Sequence, residues 1–297
     1  MIQSHLKVWL LSLFLVLIAQ KTYSQDLFEL FDEEEPVTEY AFATFKTTRI
    51  VNGQSIENPP VGELKFIISH HFGRLNEGAY NLWGLDQASI RLGLEYGITE
   101  RFTISVGRSS FEKTFDGFAK YKILRQSTGA KEMPISLSVF SGIYLNSLEW
   151  RFPERTNYFT SRLSFAHQIL IARKFSNAFS FQLTPTLVHK NLVEKIDDPN
   201  DIFALGYGGR VRLTNRITFN AEYYQVLTQK TAQQFKNMLS LGFDLETGGH
   251  VFQLHFTNAQ PMFERAFITE TRGDWLNGDI YFGFNIVRVF TIKKPEL

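Results

Sequence analysis

The chain has 297 residues, a formal net charge of +1 and no cysteine. A balanced charge offers no global basic field to nucleic acid. The missing thiols exclude a disulfide framework, a thiolate metal site, a Cys nucleophile and a lipidated N-terminal Cys. Aromatic residues make up 15% of the chain, Phe alone numbering 29, yet mean hydropathy is only −0.13, so apolar and polar residues must be finely interleaved.

In chain order, the first element reads as a signal peptide over 1–25. His5 and Lys7 form a weak basic start, and Val8–Ala19 is an apolar run of 12 residues. A bilayer-spanning helix needs roughly 20. The polar stretch Tyr23-Ser24-Gln25 supplies a cleavage region, and removal of Lys7 and Lys21 takes the charge from +1 to −1. Residues 26–60 differ in character from the C-terminal remainder of the chain. Asp32-Glu33-Glu34-Glu35-Pro36 is an acidic, solvated run, Tyr40–Ile50 reads as extended or as a short strand, Asn52-Gly53 signals a turn, and Asn58-Pro59-Pro60 blocks regular structure. This polar segment is expected to plug the turn-side mouth of a barrel formed by residues 61–297 or to contact a periplasmic partner.

From Val61 onward a period of two takes over. Ile90, Leu92, Leu94, Tyr96 and Ile98 alternate with Ser89, Arg91, Gly93, Glu95 and Gly97. Successive strand side chains point to opposite faces, so one face is greasy and the other polar. The same split recurs in Leu239, Leu241 and Phe243 against Ser240, Gly242 and Asp244. The pattern predicts twelve strands, near 62–73, 88–98, 101–110, 116–125, 134–146, 159–173, 178–190, 202–213, 216–228, 237–247, 249–260 and 278–293. Tight turns such as Thr99-Glu100 and Thr214-Asn215 alternate with longer polar loops such as 147–158 and 261–277. Gln126–Met133 is long for a turn. Short turns at one end and long loops at the other describe an outer-membrane barrel, here over residues 61–297.

A soluble barrel or sandwich with the greasy face inside would show the same alternation. The strands are long, the polar face is rich in Gly, Ser and Thr with charges of both signs, and aromatics collect near strand ends. These features favour an all-β, transmembrane, antiparallel up-and-down barrel in outer-membrane lipid.

Several stretches carry a family likeness: Thr44-Phe45-Lys46-Thr47-Thr48-Arg49, Ile68-Ser69-His70-His71-Phe72-Gly73, Arg91-Leu92-Gly93-Leu94-Glu95-Tyr96-Gly97-Ile98 and Lys120-Tyr121-Lys122-Ile123-Leu124. In these the chain resembles an uncharacterised family of outer-membrane β-barrels of Gram-negative bacteria, a domain of unknown function. The resemblance implies fold and location and brings no catalytic residues.

Candidate site residues lie on the polar face. Face-matched registers set Arg210 beside Asn220 and Arg212 beside Thr218. Continued across the next loop they set Asn220 beside Asp244 and Thr218 beside Glu246, with Glu222 one step above. Such a ladder of opposite charges braces a narrow lumen or forms a polar constriction that filters solutes. The adjacent His70 and His71 face apart, as do His250 and His255, so no metal site is expected, and no cofactor. Ser141 and His167 fall on the greasy face as diagonal neighbours, the one arrangement that would suit a lipid-modifying enzyme. The reading is a narrow channel, transporter or structural envelope protein, not an enzyme and not a nucleic-acid binder, with its oligomeric state open.

Overall fold

The computed structural model describes residues 37–228, 235–247 and 250–293. The expected signal peptide at 1–25 and the acidic run lie outside these. The chain divides into two compact units. The smaller contains the described residues 37–39 and 127–132. Within it Gly129 takes a left-handed φ of +85° against the Val37 carbonyl, where an added Cβ would lie 2.1 Å from the oxygen. The residues that made 126–133 long for a turn thus belong mostly to this unit.

The larger unit, Tyr40–Gln126 with Met133–Leu297, holds a closed barrel of twelve strands. These are β1 (Glu63–Arg74), β2 (Ala88–Gly97), β3 (Phe102–Ser109), β4 (Phe115–Leu124), β5 (Ser136–Leu145), β6 (Leu163–Lys174), β7 (Phe179–Lys190), β8 (Asp201–Arg212), β9 (Ile217–Val226), β10 (Met238–Thr247), β11 (His250–Thr257) and β12 (Tyr281–Thr291). Each pairs antiparallel with its neighbours in sequence. β12 returns to β1 with Phe284 opposite His70 and Ile286 opposite Ile68, which closes the sheet. Closure leaves no edge strand with unpaired backbone groups.

The exposure of the alternating residues settles which solvent each face meets. Ile90, Leu92 and Leu94 on β2 are 39–42% exposed, while Arg91 and Glu95 on the opposite face are buried. Val139, Ile169, Phe243 and Leu254 repeat the outer pattern, and Ser138, Gln168, Asp244 and Gln253 the inner one. An apolar exterior around a polar interior is the reverse of a soluble barrel and is stable only in lipid.

The interior is filled by two segments rather than by the wall alone. Residues 44–56 form a hairpin inside the barrel, bridged at Arg49 and Gln54, with the Ile50 amide donating to the Gly53 carbonyl at 2.9 Å. The turn expected at Asn52-Gly53 is its tip. The 261–277 connection, expected as a polar loop, instead folds inward. It carries the helix α1 (Glu264–Thr269), every residue of which is buried. Phe263, Ala266, Phe267 and Ile268 pack on Tyr144, Val188, Tyr224 and Met238 of the wall. Phe45, Ile50, Val51 and Ile56 of the hairpin pack on Leu170 and Ala172.

Candidate functional site in the barrel lumen

The hairpin is fastened chiefly by polar wall side chains. Its tip presents the Asn52 and Gly53 amides to the Glu222 carboxylate at 2.9 and 3.0 Å. Carbonyl groups of the same segment accept from Gln182 (Gln54, 2.8 Å), Gln253 (Ile50, 3.2 Å), Asn285 (Val51, 3.0 Å) and Arg210 (Thr44, 2.9 Å). Lys120 donates to the carbonyls of Ser55 and Glu57. A short hairpin cannot pair all its own backbone groups, so the lumen wall completes them. Side chains add to this: Thr48 donates to Glu95 at 2.6 Å, and Lys46 pairs with Glu246 at 2.5 Å.

The two inserted segments meet at Glu264. Its carboxylate accepts from Arg49 at 2.6 Å, Gln54 at 2.9 Å and, from β5, the Tyr144 hydroxyl at 2.8 Å. Burial pushes the Glu264 carboxyl up, but the Arg49 and Arg91 guanidinium groups and the Gln54 bond outweigh it and hold it below the usual carboxylate range. An ionic chain running from Arg265 past the C-terminal end of α1 ties the helix to the β3–β4 connection and to the wall. Arg265 reaches Glu112 at 2.5 Å and Glu270 at 2.6 Å, and Lys190 of β7 reaches Glu270 at 2.7 Å. Elsewhere the wall braces itself: Arg91 of β2 and Asp116 of β4 pair across β3. They pass over Gly107, where an added Cβ would lie 2.6 Å from the guanidinium.

The expected charge ladder forms only in part. Arg210 opposes Asn220 and Arg212 opposes Thr218, as the turn geometry requires. The next interface is displaced by two residues: Thr218 opposes Asp244, and Asn220 opposes Gly242. A two-residue slip keeps every side chain on its own face, so alternation could not distinguish the registers. Thr218 donates to Asp244 at 3.0 Å and Gln253 to Asp244 at 2.8 Å. Glu246 falls toward the turn end, 44% exposed, and Arg212 is exposed there. Arg210, Glu222 and Glu246 serve the hairpin rather than a wall-to-wall ladder.

Two pairings were missed or misplaced. His71 and His255 both point inward from strands flanking β12, with Nε2 atoms 2.9 Å apart over Gly283. The Gln260 carbonyl can only accept, so His71 donates from Nδ1. His255 Nε2–H then donates to His71, leaving His255 Nδ1 buried without a partner among the described residues. Among the described residues no group of three metal-ligating side chains forms. Ser141 and His167 are directly opposed, not diagonal, with Oγ and Nδ1 3.0 Å apart on the outer wall. Among the described residues no carboxylate is hydrogen-bonded or ion-paired to His167. Glu264 and Arg265 were not singled out from sequence, and Arg49 stood out only as part of a family stretch, although the spacing of Phe263, Ala266 and Phe267 is helical.

Fold and lumen together define a membrane-bound β-barrel whose interior is occupied by its own chain. Residues 45–290 match the family described as a membrane bound beta barrel domain (DUF5777); the chain belongs to that family. No curated protein matches the chain. Among solved structures it is similar to the NanC porin, at 8% identity over 78% of this chain and 100% of that one, with a TM-score of 0.49. An outer membrane channel from Pseudomonas putida F1 is similar at 13% identity, 79% and 98% coverage and a TM-score of 0.46. The toluene transporter TbuX of Ralstonia pickettii is similar at 9% identity, 83% and 92% coverage and a TM-score of 0.35.

Proposed function

We propose that this barrel is a non-enzymatic outer-membrane channel or transporter, exported through the signal peptide at 1–25 and closed at rest by its own chain. The observation that carries this reading is the Arg49–Glu264 contact, where a segment entering from the turn end meets one entering from the loop end. A purely structural envelope protein needs only a braced wall, and Arg91–Asp116 supplies such a brace without help from the inserts. The hairpin is held largely by hydrogen bonds and ion pairs, which exchange with water when it leaves. Such fastening suits a removable closure better than a permanent core. Residues 26–60 thus act as a plug, and a periplasmic partner is the further role proposed for this polar segment. The test is single-channel recording of reconstituted protein with and without 26–60. Conductance is expected to rise severalfold on deletion; an unchanged trace overturns the plug.

A further inference from the structure

At the loop end a cavity of about 360 Å³ opens above α1. Its walls come from the β5–β6 and β7–β8 loops, and its floor from the ionic chain that ties α1 to the wall. Leu148, Leu192 and Ile202 give it an apolar side. Its basic groups are engaged apart from Arg265 Nε, which is buried with no partner among the described residues. Arg265 and Lys190 are paired with carboxylates. Arg162 lies 3.8 Å from the Trp150 ring centroid and donates to the Asn146 and Leu148 carbonyls.

Its acidic groups are not used up. Glu270 accepts both Lys190 and Arg265 on Oε1, and Glu112 accepts both Asn146 and Arg265 on Oε2. Glu270 Oε2 and Glu112 Oε1 accept no hydrogen bond among the described residues. Glu149 and Glu194 stand exposed at the rim. The cavity therefore combines spare, fixed acceptors at its floor, surplus negative charge at its mouth and apolar wall between.

We propose that this vestibule binds a small protonated amine carried on an apolar body. The ammonium group donates to the free oxygens of Glu112 and Glu270, the body lies against Leu148, Leu192 and Ile202, and the rim carboxylates draw the cation in. The assignment deepens the channel reading by naming a solute class, since the floor of the site is the inward loop itself. Binding is an equilibrium property of the closed barrel and needs no open pore.

Isothermal titration of the detergent-purified full-length protein tests it, with phenethylamine as probe and phenethyl alcohol and phenylacetate as neutral and anionic controls. Phenethylamine is expected to bind at least about tenfold tighter than the alcohol, because a charged hydrogen bond is lost, and phenylacetate not to bind. Glu112→Gln is expected to weaken the amine by about tenfold. The double rim variant Glu149→Gln/Glu194→Gln, which alters only exposed side chains, is expected to weaken it severalfold. Absence of amine binding, equal affinity for the alcohol, a preference for phenylacetate, or amine affinity unchanged in the rim variant overturns the proposal. If deletion of 26–60 leaves conductance unchanged while the amine still binds, the plug fails and the site stands.

Discussion

A few side chains decide whether the lumen stays closed. Glu222 accepts from the Asn52 and Gly53 amides and bears on the hairpin tip more directly than any other wall residue. Glu222→Ala strands those donors in a buried site, at a cost of about 1–3 kcal/mol. Faster amide exchange at 50–55 in the folded barrel would report it; protection equal to wild type would contradict the assignment. Gly53 is small for a reason of contact, since an added Cβ would lie 2.2 Å from the Glu222 carboxylate. Gly53→Ala is therefore expected to loosen the same residues. On the outer wall, Ser141 and His167 satisfy each other in lipid. Ser141→Ala alone leaves His167 short of a partner, whereas Ser141→Ala with His167→Leu removes both polar groups. The double variant should be the more stable of the two in urea unfolding from vesicles, by about 1 kcal/mol.

The two inserted elements differ in how they are held. Helix α1 and the preceding Phe263 present Phe263, Phe267 and Ile268 to an apolar part of the wall, so Phe267→Ala should destabilise the barrel by about 3–5 kcal/mol, read from the midpoint of denaturant unfolding. The hairpin depends more on ionic contact. Glu264 sits on the β11–β12 connection, and its carboxyl is held below its ordinary value with Arg49, Arg91 and Tyr144 facing it. A depressed carboxylate contributes its stability fully above the unfolded pKa of about 4.3 and loses it as pH falls through the lower folded value. Hairpin docking should thus hold from neutrality to about pH 4 and weaken below it. Protease nicking within 40–60, followed from pH 7 to 3, should rise only on this acid limb. Glu264→Gln should raise nicking at pH 7 and flatten the limb, because Arg49 then keeps a single carboxylate partner, Glu95 at 3.4 Å.

At the scale of the whole molecule, stability rests on matching each face of the wall to its solvent. Leu92 lies mid-strand on the outer face, 42% exposed. Leu92→Lys should lower folding stability in vesicles by about 2–4 kcal/mol, as a charge near the bilayer midplane does. A cation on the inner face is compatible with the same wall, since Lys120 is fully buried there and donates to the hairpin. A loss at Leu92 below about 0.5 kcal/mol would place that face in water and return the soluble barrel.

Alternation in the sequence determined the strand count and which residues share a face, because a period of two is local and needs only adjacent residues; strand length and unequal loops pointed to the membrane, and the closed sheet with its exposed apolar face confirmed it. Tight turns likewise determined the pairing of Arg210 with Asn220 and of Arg212 with Thr218. The register between β9 and β10 was decided by the tertiary structure, since a two-residue slip leaves the alternation intact. So was the occupation of the lumen. Arg49 and Glu264 lie 215 positions apart, and no periodicity links them. His71 and His255 come together only because the closed sheet places their strands on either side of β12. The sequence by itself set which residues face inward; closure decided that what they enclose is the protein's own chain.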